Sequence, residues 1–288
     1  MIHVGCGQIT WRGVPETAAL DDIARAGYEG TPPRLDTRRT ARDTLELYQR
    51  YGLRPAPCYF AAPFWRLDKR AEIVAEAGRA AQLVRELGCT ELYVAPGGEY
   101  TASSGRTRRA AAGHVRADDG MSDAEWRVFA TTLNAVGEAA WRVGVRSCFH
   151  NHVGTVIETH DEVERLIEMT EPELVLLGPD TGHLAWAGVD VVTFCQQHLP
   201  RIKTMHLKDI DAVVRAQGCQ AGWDYTAFVE RGIFVELGEG CVDFATLVEM
   251  LRQAAFSGWL IVETDVTQKA SALESARVSR AYLRRLGL

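Results

Sequence analysis

Three short stretches of the sequence decide the fold, and they read GPDTGHLAWAG (residues 178–188), TMHLKD (204–209) and WLIVETD (259–265). In or just before each of them, an apolar, strand-forming run ends at a carboxylate or an imidazole, namely Asp180, His206 and Glu263. One buried ligand at the tip of each of several successive parallel strands is typical of a metal-dependent barrel enzyme. The pattern therefore predicts a barrel with a metal site at the carboxyl ends of its strands.

Length and composition fit a single enzyme domain. The chain has 288 residues, of which 47% are hydrophobic and 24% are charged, and this is ordinary globular composition. A single α/β barrel takes about 250 residues, so we expect one barrel domain over residues 1–288. The formal net charge of −6 at pH 7 argues against a nucleic-acid-binding protein, because such proteins usually carry a basic face.

The amino terminus and the cysteines indicate a cytoplasmic protein. MIHVGCGQITW lacks the basic segment and apolar run of a signal peptide, and no stretch of about 18 apolar residues predicts a membrane span. The seven cysteines are scattered and never spaced as C-x-x-C, which suits a reduced protein better than a disulfide framework or a structural zinc site. We expect a small-molecule partner and neither nucleic acid nor membrane.

Short apolar runs alternate with amphipathic stretches along the chain. The predicted strands are residues 2–9, 28–31, 53–60, 91–95, 145–150, 174–177, 202–207 and 259–263. The predicted helices are residues 15–26, 40–51, 69–87, 122–141, 161–169, 191–198, 244–254 and 270–286. Eight such units favour parallel strands closed into a (β/α)8 TIM barrel of the α/β class. An open doubly wound sheet is the alternative, although no G-x-G-x-x-G follows the first strand.

A fourth ionisable group belongs with the first three. In SCFHNHVGT, His150 ends the predicted strand 145–150 and His152 lies two residues beyond it, and either one adds an imidazole at that end of the barrel. Each residue alone is more often a structural residue or a helix cap than a metal ligand. Four ionisable groups converging on one edge need a shared partner, however, because their burial is otherwise costly. Mixed imidazole and carboxylate ligands favour Mn²⁺ or Co²⁺, with Fe²⁺, Zn²⁺ or Mg²⁺ as alternatives.

Several motifs, taken in order, resemble one known group of enzymes. They are FHNHVGTVIET, PDTGHLAWAG, MHLKDI, GIFVELGEGCVDF, GWLIVETD and SARVSRAYL, with CGQITW near the start. In these motifs the chain resembles the xylose isomerase-like barrel superfamily of sugar isomerases, epimerases and dehydratases, and within it the inosose dehydratases of inositol catabolism. The likeness is strong from Trp126 to the end of the chain.

The resemblance implies a reaction and a ligand set. The reaction is the removal of water from a cyclic polyol ketone, with a metal-stabilised enolate on the way. The metal ligands would be His150, Asp180, His206 and Glu263. Many superfamily epimerases carry a glutamate at the first of these positions, where two metal-bound glutamates act as acid and base. His150 stands there in this chain, which favours dehydration and leaves a sugar or inosose isomerase or epimerase as the alternative.

Three residues are expected to carry the chemistry. Glu263 would serve as ligand and base together. His152, two residues beyond His150, is either an acid or base or a structural histidine. Lys208 follows the His206 strand and either binds a hydroxyl or phosphate of the substrate or is simply solvated.

Three further residues are expected to bind substrate. His183 resembles the hydroxyl-binding histidine of the superfamily, with orientation of Asp180 as the alternative. Trp11, near the first strand, would pack against the sugar ring or in the core. Glu99, in APGGEY after the fourth strand, either binds the substrate or takes no part in binding it.

Two loops and two other classes complete the expectations. The loop 96–121 contains the arginines Arg106, Arg108, Arg109 and Arg116, which we expect to be solvated rather than to gate an anionic substrate. After the second strand, residues 30–34 depart from the dehydratase pattern. Loops at this end of the barrel shape the substrate site, so the departure leaves the identity of the substrate open.

Two other classes of protein are disfavoured. The acidic charge argues against a multi-metal endonuclease, and the intact ligand set argues against a non-catalytic protein. By resemblance, a homo-oligomer is possible.

Overall fold

The computed structural model describes residues 1–34 and 39–288. Its strands are β1 (Ile2–Cys6), β2 (Gly30–Thr31), β3 (Arg54–Pro55), β4 (Cys58–Ala62), β5 (Glu91–Pro96), β6 (Arg146–Phe149), β7 (Val175–Leu177), β8 (Met205–Leu207), β9 (Asp209–Ile210), β10 (Phe234–Val235) and β11 (Gly258–Val262). They form one parallel sheet of order β3-β2-β1-β11-β8, another of order β4-β5-β6-β7, and an antiparallel β9–β10 hairpin.

The two parallel sheets close into one ring. At one seam, β3 and β4 are successive parts of one extended stretch of chain, so the first sheet continues into the second. At the other seam, parallel bridges join Leu177 to Ile202 and Asp180 to His206, linking β7 to β8. The predicted (β/α)8 barrel is therefore confirmed, and all eight predicted strands have a counterpart. The strand predicted at 53–60 is divided in two, where Pro57 has no N–H to donate to a neighbouring strand.

Helices surround the ring. They are α1 (Glu16–Ala26), α2 (Ala41–Arg50), α3 (Arg70–Glu86), α4 (Asp123–Trp141), α5 (His160–Met169), α6 (Thr181–Trp186), α7 (Val191–His198), α8 (Ala212–Ala221), α9 (Tyr225–Glu230), α10 (Phe244–Gln253) and α11 (Ala272–Arg285). The helix predicted to start at Ser122 does so, because the Ser122 side chain accepts from the backbone N–H of Glu125 in a capping box. Among the described residues, no helix is both long and apolar enough to cross a membrane.

Some elements escaped the sequence analysis. Helix α6 has six residues, too few to display a helical periodicity. Helices α8 and α9 and the β9–β10 hairpin fill the segment 208–243, which the sequence analysis left without regular structure. Helix α9 and the two strands of the hairpin are too short to show a periodic pattern, and helix α8 ends at Gly222.

The core lies inside the ring and between the ring and its helices. All six residues of β5 are buried, since a strand in such a ring is covered by side chains on one face and by helices on the other. On α4, Leu133 and Val136 are fully buried against this layer. Each such aliphatic side chain stabilises the fold by about 1.5–3 kcal/mol. This rigid ring fixes where the strand-end residues lie.

The segment 97–121 is irregular, as predicted, but its arginines are not all solvated. Arg108 is 1% exposed, and its guanidinium donates to both carboxylate oxygens of Glu162 at 2.6 and 2.9 Å. Arg106 donates to Asp119 at 2.9 Å. The expectation of a solvated loop is therefore wrong for Arg108, because Glu162 near the start of α5 offers the partner that allows its burial. Arg109 is exposed.

Candidate metal centre

Four expected ligands come together at the carboxyl ends of neighbouring strands. Potential ligand atoms of His150, Asp180 and His206 all lie within 4.8 Å of one another. Oδ2 of Asp180 is 4.0 Å from Nε2 of His150 and 3.9 Å from Nδ1 of His206. Glu263 adjoins this group, because its Oε2 lies 3.2 Å from Nδ1 of His206. We call these residues the four-residue cluster.

Buried atoms without hydrogen bonds mark the four-residue cluster as a site for a cation. Nδ1 of His150 and both ring nitrogens of His206 are buried and make no hydrogen bond to any described residue. Leaving a buried polar group unpaired costs about 1–3 kcal/mol. A divalent cation would take up these lone pairs, so the donors present fit such an ion. Two imidazoles with two carboxylates suit a borderline cation better than a hard one.

Asp180 is held by its neighbours so that one oxygen remains for the cluster. Its Oδ1 accepts from the backbone N–H of His183 at 2.9 Å and thereby caps α6. Its backbone N–H donates to Oδ1 of Asn151 at 3.0 Å. Among the described residues Oδ2 has no hydrogen-bond partner of good geometry, and it lies 3.9 Å from Nδ1 of His206 and 3.2 Å from Nζ of Lys208. Asn151 is thus a supporting residue that the sequence analysis missed, although it stands between His150 and His152.

Glu263 reaches the cluster because the residue beside it, just beyond the end of β1, has no side chain. A Cβ at Gly7, just after β1, would overlap Oε1 of Glu263. The backbone N–H of Gly7 also donates to the carbonyl of Val262 at 2.8 Å, which holds the two strand ends together. Gly7 therefore makes the space that the carboxylate occupies.

Lys208 is buried beside the cluster rather than solvated. It is 1% exposed, and its Nζ lies 3.2 Å from Oδ2 of Asp180 and 3.5 Å from Oε2 of Glu263. The nearest carboxylate is that of Asp265, at 2.6 Å. Burial opposes the charge on Lys208, but these three carboxylates outweigh it and raise the pKa of the ammonium well above its usual value. Of the two alternatives for Lys208, the solvated one is wrong.

A second group of ionisable residues lies next to the first. His152, His183 and Asp265 bring potential ligand atoms within 4.8 Å of one another. The rings of His152 and His183 are 3.7 Å apart between centroids. Nζ of Lys208 lies 3.4 Å from Nε2 of His183 and contacts Asp265, so this group already has a cation of its own. The predicted catalytic His152 thus lies near the cluster, and Asp265 is a residue that the sequence analysis missed.

The two remaining substrate-binding candidates lie in different surroundings. Glu99 is exposed and lines a cavity of about 400 Å³ together with Tyr59, Arg109 and His152. Trp11 is 2% exposed, packs in the main hydrophobic core and donates from Nε1 to Asp22 on α1 at 3.0 Å. The structure therefore brings Glu99 to the same cavity as His152, whereas it places Trp11 in the core.

Two tyrosines from the first half of the barrel complete the site. The ring of Tyr93 on β5 lies 4.3 Å from that of His206, with its hydroxyl 2.5 Å from Oγ1 of Thr204. The ring of Tyr59 on β4 lies 5.2 Å from that of His150, and Tyr59 is partly exposed and lines the cavity. Neither was singled out from the sequence, because a tyrosine in a strand resembles any other half-buried strand residue.

Burial and neighbouring charges set the protonation of the site. Burial lowers the pKa of His150 well below its ordinary value, and the nearby imidazole of His206 lowers it further. Burial opposes ionisation of Glu263, but His206 and Lys208 outweigh it and lower the pKa of that carboxyl. Burial also lowers the pKa of His152 to about 4. At neutral pH the histidines His150 and His152 are therefore neutral and Glu263 is ionised, the forms that bind metals and accept protons.

Comparisons with known proteins bear on the family of the chain. A family model described as xylose isomerase-like TIM barrel matches residues 20–286. The chain is 30% identical to an inosose dehydratase of Halalkalibacterium halodurans over 292 residues, which cover 97% of this chain and 93% of the relative. It is 28% identical to an inosose dehydratase of Lacticaseibacillus casei, over 98% of this chain and 96% of the relative. It is also 30% identical to the rhizopine catabolism protein MocC of Rhizobium meliloti, over 99% and 88%.

Solved structures share the fold at lower sequence identity. A probable 3-DHS dehydratase, AsbF of Bacillus anthracis, superimposes with a TM-score of 0.74 at 16% identity, covering 99% of both chains. The IOLI protein, solved with a bound zinc atom, superimposes with a TM-score of 0.72 at 15% identity, covering 99% of this chain and 97% of that one. At such identities the likeness concerns the fold alone.

Proposed function

The chain belongs to the xylose isomerase-like TIM barrel family, and on this premise we propose that it is a metal-dependent dehydratase acting on a cyclic polyol ketone of the inosose type. Its curated relatives named inosose dehydratase extend over nearly the whole chain, and they indicate that it is an enzyme. The scattered, unpaired cysteines are consistent with work in the cytoplasm.

The observation that carries this proposal is the donor set of the four-residue cluster. It contains two imidazoles, from His150 and His206, and one glutamate, Glu263. Epimerisation requires a proton carrier on each face of the substrate, for which paired glutamates are suited. Dehydration requires a base for the α-proton and a proton donor for the departing β-hydroxyl, and both can lie on one face. A single glutamate with an adjacent imidazole supports the second reaction.

A divalent cation bound by His150, Asp180, His206 and Glu263 would polarise the ketone and stabilise the negative charge that develops as the α-proton leaves. The protein's own groups would do the remaining work. Nε2 of His152, a neutral ring in the cavity wall, would accept the α-proton and return it to the departing hydroxyl. The carboxylate of Glu263 is the alternative base.

Other side chains would hold the substrate in place. The ammonium of Lys208 lies among Asp180, Glu263 and Asp265, where it can donate to a substrate hydroxyl. His183, whose ring lies 3.7 Å from that of His152, is a second donor or acceptor for a ring hydroxyl. Tyr59 and Glu99 line the cavity through which the substrate would enter.

The proposal is tested with the purified protein loaded with Mn²⁺, Co²⁺ or Zn²⁺ and incubated with scyllo-inosose in deuterated buffer. We expect the near-ultraviolet absorbance of an unsaturated ketone and loss of one water by mass spectrometry. The Asp180→Ala variant should show neither. Deuterium in the recovered ketone without loss of water would contradict dehydration and identify an isomerase or epimerase. No change in the ketone with any of the three metals would contradict both.

A further inference from the structure

One buried carboxylate near the site has no place in the chemistry described so far. Glu158, which lies just before α5, is 2% exposed. Its Oε1 accepts the backbone N–H of Gly113 and its Oε2 accepts that of Gly154, each at 2.7 Å. Burying a carboxylate is costly, so a position that holds one with two backbone donors calls for an explanation.

The bond to Gly154 continues into His152. The carbonyl of Val153, which belongs to the same peptide unit as the N–H of Gly154, accepts from Nδ1 of His152 at 2.7 Å. In a trans peptide the N–H and the C=O point in opposite directions. The carboxylate of Glu158 and the imidazole of His152 therefore hold the two ends of one peptide group.

This arrangement determines which nitrogen of His152 carries hydrogen. A carbonyl can only accept, so Nδ1 must be the donor and Nε2 of the neutral ring is left with a free lone pair. Nε2 makes no hydrogen bond to any described residue, and His152 lines the cavity. A hydrogen bond from the peptide N–H to an ionised carboxylate polarises the peptide and makes its carbonyl a better acceptor.

We propose that Glu158 is a positioning residue for His152, which it holds in the Nδ1-protonated tautomer and in a fixed orientation across the Val153–Gly154 peptide. The inference rests on the proposed function only in giving His152 a proton to carry. The arrangement does the work of the carboxylate that commonly orients a functional histidine, with a peptide group between the two.

The surroundings keep Glu158 from moving away. Arg108 lies 3.8 Å from its Oε2. Gly154 has φ of +81°, in the left-handed region that favours glycine, and an added Cβ would come 3.1 Å from the ring of Tyr225. The ring of Tyr225 is itself stacked 5.9 Å from His152. The peptide between Glu158 and His152 is therefore fixed from both sides.

The test is the tautomer of His152, read from the ¹⁵N chemical shifts of the ring in the Zn²⁺-loaded protein. The His152→Gln variant assigns the signals by their disappearance. Burial raises the pKa of Glu158 to about 7, so spectra at pH 8.5 compare an ionised carboxylate with the amide of Glu158→Gln. We expect the Nδ1-protonated form to dominate in the parent protein and to fall to about half in the variant. In turnover, kcat should fall about tenfold with KM changed less than about twofold.

The matched control is Glu162→Gln. Glu162 binds the same Arg108, caps α5 and accepts from the backbone N–H of Glu158 at 2.9 Å, but makes no bond to Gly154. The amide oxygen of glutamine can still accept from that N–H, so this variant should lower the melting temperature while leaving the tautomer unchanged. If Glu158→Gln does not fold, Glu158→Asp keeps the charge and shortens the reach, and it should shift the tautomer as well.

Either of two results would overturn the proposal. One is an Nε2-protonated His152 in the parent protein, and the other is an unchanged tautomer in a folded Glu158 variant. Because the spectra need no substrate, failure of the dehydratase assay would leave this readout intact and would count against the proposed function alone.

Discussion

The two halves of the barrel contribute to the site in different ways. Residues 146–265, the ligand half, supply the whole four-residue cluster, each member at or just beyond the end of a strand. Residues 2–121, the wall half, supply Tyr59 and Glu99 to the cavity and the segment 97–121 beside it. In the ligand half, the functional groups are positioned by the ends of paired strands. In the wall half, the long segment 97–121 is held in place by ion pairs. Metal binding should therefore depend on the ligand half, whereas entry of the substrate through the cavity should depend on the wall half.

The largest effect is expected from Asp180→Ala in the ligand half. Asp180 offers Oδ2 to both imidazoles of the cluster, so its loss should abolish bound metal and lower turnover by about 10³-fold or more. Metal per protein chain, measured by mass spectrometry of the elements, gives the readout. Asp190→Ala is the control, because Asp190 caps α7 as Asp180 caps α6 but lies away from the cluster. Full metal content in purified Asp180→Ala would refute the ligand assignment.

The next effect comes from Arg108 in the wall half, whose partners Glu158 and Glu162 lie in the ligand half. Arg108→Met removes a buried cation and leaves Glu162 and Glu158 without their partner, at a cost of about 3–5 kcal/mol in the free energy of unfolding. Urea unfolding measures this cost. Arg109→Met, the same change at an exposed neighbour over the Tyr225 ring, should cost less than about 1 kcal/mol. Bound metal should persist in folded Arg108→Met. Loss of the metal would contradict the expectation that metal binding depends on the ligand half alone.

The same division explains what could be predicted from the sequence. Asp180, His206 and Glu263 follow apolar strand-forming runs, so their place at one edge of the barrel is a local pattern repeated along the chain. Tyr59 carries no such pattern, since its role arises from a residue far away in sequence, His150. Asp265 does end the stretch WLIVETD, but its role depends on the distant Lys208. Trp11 is a case in which the sequence suggested a functional role that the structure does not support. Its position after the first strand suggests the cavity, but tertiary packing places its ring in the core.

Gly7→Ala tests whether a residue of the wall half also affects metal binding. Gly7 belongs to the wall half, yet an added Cβ would overlap the carboxylate of Glu263. We expect metal affinity to fall about 10–100-fold, as for other changes that misplace a ligand, measured by competition with a chelator. Gly78→Ala is the control, because Gly78 lies within α3, where an added Cβ would make an ordinary contact with Cβ of Ala139 at 3.9 Å, and this change should leave metal affinity intact. Unchanged affinity in Gly7→Ala would mean that Glu263 is not a ligand.

A smaller effect separates the two wall residues that were expected to bind substrate. Glu99→Gln should raise KM about threefold with kcat unchanged, because the exposed carboxylate borders the cavity but not the cluster. Trp11→Phe should leave KM unchanged and lower stability by about 1 kcal/mol, since it removes a partly buried hydrogen bond to Asp22. Steady-state kinetics and thermal unfolding of both variants decide between these roles. A raised KM in Trp11→Phe would indicate that Trp11 contributes to substrate binding.

The smallest effect is a pH dependence confined to the segment 97–121. Burial opposes ionisation of Asp119, but hydrogen bonds from the N–H of Arg116, from Ser104 and from Arg106 outweigh it and lower the pKa of that carboxyl. A lowered pKa in the folded state contributes stability that is present above the ordinary aspartate value and is lost as the pH falls below it. The segment should therefore resist pepsin at pH 4.5 and be cut faster at pH 3, while circular dichroism shows the barrel still folded. Asp119→Asn cannot ionise, so it should be cut at both pH values, and equal protection of the two proteins at pH 4.5 would show that other contacts hold the segment.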